Sequence, residues 1–271
     1  MGHKYIDTHA HLFEEYYKND LDNVIIRARA VGVESIIVPG VNLITSMEAV
    51  RLAERYQFVY ACIGIHPHEA VKANDRDLFE IERMSDHPKV VGIGEIGLDY
   101  HYDFSPSDTQ KIIFSAQLQI AVKQNLPVVI HTRESFEDTY NIVSSITSDK
   151  VELMNDDIVS RRGVFHCFPE GVLEAEKVIK LGFFISFPGI VTFRKTKSTE
   201  VIKRIGLDNI LLETDSPYMT PEPLRGKRNE PANIVYISEK IAQILNVSED
   251  SVANVTKNNA IRLFKMTVSD V

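Results

Sequence analysis

The chain has 271 residues, 44% hydrophobic and 25% charged, the composition of an ordinary globular protein able to bury a sizeable core. Its formal net charge of −8 argues against coating nucleic acid by surface electrostatics alone, although bound divalent metals would add charge that this count omits. The longest apolar runs, 59–65 and 126–130, are too short to span a bilayer, no apolar leader follows Met1, and two cysteines (Cys62 and Cys167) make no disulfide framework, so a cytoplasmic protein is expected.

The first β-branched, apolar run covers 4–8 and leads into Asp7-Thr8-His9-Ala10-His11. Residues two apart on an extended chain face the same side. His9 and His11 therefore point together and can share one divalent ion, with Asp7 on that face to orient one ring. Runs at 34–39 and 58–65 follow, and the second closes on His66-Pro67-His68, two histidines placed to hydrogen-bond a phosphate. The run 89–95 ends on Glu95. Ser105-Pro106 then opens a helix over 106–124, with Ser105 as N-cap and a first-turn proline. The run 126–131 ends on His131, and Arg133, two residues further, points the same way as a phosphate clamp.

The irregular stretch 147–162 reads as an insertion before the sixth run, 163–166, which ends on His166. Cys167 should then face away from His166 and pack. A helix over 171–181, closed by Gly182 as a left-handed cap, precedes the run 182–187. The basic segment 193–197 reads as a solvated loop, and 198–205 as a helix. The eighth run, 209–214, delivers Asp215. Within the cationic run 224–228, Arg225 is the residue expected to meet a polyanion beyond the cleaved bond. Two amphipathic helices, 231–245 and 248–265, close the chain.

Strands alternating with helices imply parallel pairing with right-handed crossovers. An open doubly wound sheet shares that pattern. Eight strands, and no glycine-rich phosphate loop after the first, favour a single-domain (β/α)8 TIM-type barrel instead. In such a barrel the C-terminal strand ends form one mouth, which would gather His9, His11, Glu95, His131, His166 and Asp215. Satisfying each of these groups separately at the end of an apolar strand would be costly, so the cluster points to a metal site.

The stretches IDTHAHL, GIHPHE, GEIGLDY, IHTR, FHCF, ETDSPY and RNEPAN together resemble TatD-type hydrolases of the metal-dependent amidohydrolase superfamily, from Tyr5 to about Phe264. The resemblance implies a TIM-type barrel with two metals that hydrolyses phosphodiesters, typically as an exonuclease on DNA. It further implies that His9 and His11 hold one metal, that His131 and His166 hold the second, and that Glu95 bridges both. Asp215 would contact a metal and the attacking water. Where much of the superfamily has a carboxylated lysine as the bridge, Glu95 fits the TatD branch.

Physical chemistry supports such a centre. Two ions roughly 3.5–4 Å apart lower the pKa of a shared water and stabilise the attacking and leaving oxygens, while Asp215 is placed to take the proton. Three functions are compatible with the residues. The first is an exo-acting deoxyribonuclease, with DNA or RNA as substrate. The second is a deacylase cleaving an ester or amide, and the third is a barrel whose metal is only structural. The last fits poorly, because a structural site needs no base and is usually closed. The ligands suit Mg, Mn or Zn. A monomer with no obligate protein partner is expected.

Overall fold

A computed structural model describes residues 2–147 and 162–266. The expected insertion at 147–162 thus lies almost wholly outside the described residues. Eight parallel strands run in chain order: β1 Tyr5–Asp7, β2 Val33–Pro39, β3 Val59–Ile63, β4 Val90–Asp99, β5 Val128–Arg133, β6 Gly163–Phe165, β7 Phe184–Phe187 and β8 Ile210–Leu212. Hydrogen bonds from Thr8 N to Leu212 O and from Asp215 N to His9 O bring β8 back against β1, and Ala10 bridges Ser216 in parallel. The sheet is thereby a nearly closed (β/α)8 barrel, as the eight apolar runs predict.

Among the described residues ten α-helices accompany the strands: α1 Glu14–Tyr17, α2 Leu21–Ala30, α3 Leu43–Arg55, α4 Asp75–Met84, α5 Ser107–Gln124, α6 Phe136–Thr147, α7 Val172–Lys180, α8 Ser198–Ile205, α9 Ile234–Leu245 and α10 Glu249–Phe264. Among the described residues, no helix is long and apolar enough to cross a membrane. One buried side chain from every strand (Ile6, Ile37, Cys62, Val91, Val129, Val164, Phe184 and Leu211) packs with Ala260, Leu263 and Phe264 of α10 and with Met266. Strand alternation places Val129 beneath His131, Val164 beneath His166 and Leu211 beneath Glu213. The apolar layer therefore floors the barrel, and polar groups crowd the C-terminal mouth above it.

Several local expectations need correction. Glu95 does not end its strand, because β4 continues through Ile96, Gly97 and Leu98 to Asp99. Ile93 pairs with Val128 and Ile96 with Ile130, so β4 takes three steps where β5 takes two. The extra residue is a bulge at Gly94–Glu95, a device that re-aims a side chain. Ser105 does not cap α5, whose N-cap is Pro106. Its hydroxyl instead donates to His68 O at 3.0 Å and accepts from Val71 N at 3.0 Å. Gly182 does close α7, with φ at 80° and its N–H on Ile179 O.

Helix α5 also braces the mouth from outside. Gln110 and Gln117 lie seven residues apart, hence on one helix face, and both are buried. Gln117 accepts from Ile65 N at 2.7 Å and donates to Ile65 O at 3.0 Å, fixing the chain just before His66. Gln110 accepts from Asp99 N at 2.9 Å and donates to Asp99 O and Ser105 O at 2.9 and 2.8 Å.

Candidate metal centre

At the mouth, one carboxylate stands among five imidazoles. Glu95 Oε2 lies 3.3 Å from His9 Nε2 and 3.5 Å from His11 Nε2. Its other oxygen, Oε1, lies 2.8 Å from His166 Nε2, 3.1 Å from His131 Nδ1 and 3.5 Å from His66 Nε2. The two oxygens thus face two separate sets of nitrogens. Asp215 belongs to the first set, with Oδ1 at 3.8 Å from His9 Nε2 and 3.7 Å from His11 Nε2. All six residues expected to meet at the mouth do so.

These donors suit divalent cations. His9 and His11 Nε2 stand 3.1 Å apart, and the rings of His9 and His166 stack at 4.0 Å. Burial above all pushes both His9 and His11 below the ordinary histidine range, so each keeps a lone pair to offer. His9 Nδ1 and His166 Nδ1 are buried with no hydrogen-bond partner. Donor atoms of His9, His11 and Asp215, of His9, Glu95 and His166, and of His66, Glu95 and His131 each fall within 4.8 Å of one another. Nitrogen and carboxylate oxygen in such groups can hold Mg, Mn or Zn.

The carboxylates are tuned in opposite directions. Burial would raise Glu95, yet His166, His66 and the hydrogen bonds from His131 and His166 hold it well below its usual range. Asp215 is driven well above its own by burial and by the charge of Glu95. Its φ of 53° lies in the left-handed region, which aspartate tolerates better than most residues. Burial likewise raises Asp7 to about 7.

Asp7 does not orient a histidine ring. Its Oδ1 accepts from Thr214 N at 2.9 Å and His9 N at 3.3 Å, and its Oδ2 from Thr214 Oγ1 at 2.6 Å. A short carboxylate reaches the adjacent backbone donors before a ring two residues on, so Asp7 ties β1 to the segment carrying Asp215.

Two acidic residues at the mouth were not singled out from sequence. Asp99, four residues past Glu95, accepts from His131 Nε2 at 3.0 Å on Oδ2. His68 Nε2 lies 3.0 Å from the same oxygen, out of line for a hydrogen bond. Burial opposes charge on His131, but the bonds to Asp99 and Glu95 lift its pKa to about 9. Glu213, two residues before Asp215, accepts from Ser186 Oγ at 2.6 Å and from Cys167 N at 2.7 Å. It also lies 3.9 Å from His166 Nδ1. The signal was present in both cases, as an acid an even number of residues from a recognised one near a strand end.

The remaining expected residues separate. His66 is buried in the cluster, whereas His68 is half-exposed above it. Arg133 reaches the rim, with its guanidinium 4.9 Å from the Tyr102 ring centroid. Arg225 is not brought to the cluster by any contact; it lies 4.4 Å over the Phe193 ring and 4.0 Å from Glu222. That aromatic contact also engages the start of the basic segment 193–197. Cys167 does not simply face away to pack. The strand stops at Phe165, Cys167 has φ of 45°, and burial with the charges of Asp215, Glu213 and Glu95 raises its thiol well above the usual range.

The family model for TatD related DNase matches residues 6–265. The chain is 43% identical over 261 residues to the uncharacterized metal-dependent hydrolase YabD of Bacillus subtilis, covering 96% of this chain and 98% of that protein. It is 31% identical to the 3'-5' ssDNA/RNA exonuclease TatD of Erwinia tasmaniensis, over 96% of this chain and 99% of that one. Among solved structures, the TatD homolog YjjV of Escherichia coli superposes with a TM-score of 0.88 at 30% identity, covering 97% and 98% of the two chains. The chain belongs to the TatD family of metal-dependent hydrolases.

Proposed function

We propose that this TatD-family hydrolase binds two divalent ions and cleaves phosphodiester bonds, trimming DNA from an end. The observation that carries the reading is the division of Glu95: Oε2 faces His9 and His11, and Oε1 faces His131 and His166. A carboxylate so placed can join two ions, with Asp215 completing the first set. When bound, such a pair supplies an acidified water and positive charge for the developing phosphorane oxygens.

The protein's own groups do the rest. Asp215, beside His9 and His11, is placed for its carboxylate to accept the proton of the attacking water. Asp99 holds His131 by Nε2, leaving Nδ1 directed at Glu95. His66 and His68 line one wall, and Arg133 places a cation at the rim for a neighbouring phosphate. Arg225, further out, would meet the polyanion only beyond this rim. The Erwinia relative's name, an exonuclease on single-stranded DNA and RNA, supports the same substrate class.

The test is hydrolysis of 5′-labelled and 3′-labelled single-stranded oligonucleotides with Mg, Mn, Zn or chelator, by the wild type and by Asp215→Asn. Metal-dependent shortening that is lost in the variant is expected, and the two labels give its direction. A wild-type protein that binds metal but cleaves neither strand with any of these ions would overturn the nuclease reading. Hydrolysis of acyl esters by that same protein would establish a deacylase instead.

A further inference from the structure

Two aromatic pairs lie on the rim, four strands apart around an eight-stranded barrel and therefore on opposite sides of the mouth; Tyr102, Phe104 and Tyr218 are exposed, while Tyr16 is partly buried against the core. After β4, Tyr102 and Phe104 are 43% and 59% exposed, with their rings stacked at 5.3 Å. Between β8 and β1, Tyr218 is 47% exposed, its ring 5.8 Å from that of Tyr16 and its hydroxyl 2.6 Å from the Tyr16 hydroxyl. Both pairs lie against histidines of the mouth, Phe104 against His68 and Tyr218 against His11.

The contacts run unbroken across the mouth. Phe104 lies 4.9 Å from His68, His68 4.4 Å from His66, and His66 4.6 Å from His131. His131 lies 5.6 Å from His166, His166 4.0 Å from His9, and His9 4.8 Å from His11. His11 then lies 6.0 Å from Tyr218. The candidate ligands thus occupy the middle of a row of rings whose two ends are open aromatic surfaces.

Arg133 supplies a cation at the Tyr102 end of this row. Arg133 lies against Tyr102, and among the described residues no carboxylate pairs with its guanidinium. A half-buried cation beside a flat aromatic surface offers one group for a phosphate and another for a base. That combination is how single strands are held without regard to sequence. A duplex fits it poorly, because paired bases already stack on one another.

We propose that Tyr102–Phe104 and Tyr16–Tyr218 stack the two bases that flank the cleaved phosphodiester of a single strand, with Arg133 on the phosphate beside Tyr102. This rests on the phosphodiesterase reading above. It assigns the substrate's bases, not only its backbone, to residues of this chain.

The test compares the intact metal-loaded protein with Tyr102→Ala/Phe104→Ala and with Tyr218→Ala. Each is given a single-stranded oligonucleotide and the same strand made abasic at the two nucleotides flanking the cleaved bond. Stacking holds substrate and transition state alike, so truncation should raise KM roughly 5- to 150-fold per base lost with kcat nearly unchanged. On the abasic strand, wild type and variants should have the same KM. Tyr102→Phe, Phe104→Tyr and Tyr218→Phe keep the rings and should keep the wild-type KM. The proposal is overturned if the alanine variants match the wild type on the normal strand. It is also overturned if ring-retaining variants lose as much as the alanine ones, or if KM rises equally on both strands. Failure of the wild type to cleave either strand would instead sink the phosphodiesterase reading on which the proposal stands.

Discussion

Replacing Gln110 by Met should unfold the protein more easily by about 3–4 kcal/mol, although no apolar volume is removed. Gln110 is 2% exposed and makes three hydrogen bonds to backbone: from Asp99 N, to Asp99 O and to Ser105 O. Met fills a similar volume and can make none of them. Each buried backbone group left unpaired costs about 1–3 kcal/mol, and single substitutions rarely exceed about 4–5 kcal/mol. Three groups at the lower end of the first range set the expected loss. The assay is urea unfolding in the presence of chelator, so that metal binding to the folded state does not mask the change. Gln119, exposed on the same helix, is the control, and Gln119→Met should stay within about 0.5 kcal/mol of wild type. A loss below about 1 kcal/mol for Gln110→Met, at unchanged m, would refute the view that α5 holds the end of β4 through this side chain.

Three further outcomes follow from the site and its surroundings. Asp99→Asn should weaken one metal about 10- to 100-fold and leave the other unchanged, measured by chelator competition, because His131 is the one residue of the six expected ligands bonded to this carboxylate, which otherwise accepts from His101 N and Tyr102 N. His166→Asn should reduce the bound metal from two ions to one, whereas His66→Asn should keep two. His166 Nε2 is closer to Glu95 Oε1 than His66 Nε2 is, at 2.8 against 3.5 Å, and elemental analysis showing the reverse would make His66 the ligand. Burial would raise Glu34, but Lys4 and Lys257 outweigh it and depress its pKa in the folded state. Its contribution is therefore present above the unfolded carboxylate's pKa and lost as pH falls through the lower folded value. Glu34→Gln should flatten the acid limb of a stability–pH curve, and an unchanged limb would count against this pair of bridges.

The barrel and the six residues at its mouth were legible because they depend on features local to each strand. An apolar run that ends on or leads into His, Glu or Asp marks a buried strand that reaches a functional end; six of the eight apolar runs do so, those of β2 and β7 do not, and the eight together define the barrel. What was not legible depends on where regular alternation stops. Asp7 is two residues from His9, as an orienting acid would be, yet the backbone donors of Thr214 and His9 and the Thr214 hydroxyl take its oxygens. Cys167 would face away on a continuing strand, but β6 ends at Phe165 and the chain turns through the left-handed region. Ser105 sits where a helix cap belongs, and the His68 carbonyl claims its hydroxyl instead.

Glu95 shows why the distinction matters for function. Its candidacy as a ligand could be read from an apolar run ending in a carboxylate, although the strand continues to Asp99; its bridging place was implied only by the family resemblance. The bulge against β5 is a property of two strands together, and no pattern within β4 reveals it. Yet that bulge accompanies the placement of one carboxylate with an oxygen toward each set of histidines. A Glu held on a strand without the extra residue would have its side chain set by simple alternation, with less freedom to present both oxygens to the mouth. Sequence therefore marks the six residues, while the mismatch between neighbouring strands accompanies their arrangement as two sets of nitrogens facing one acid.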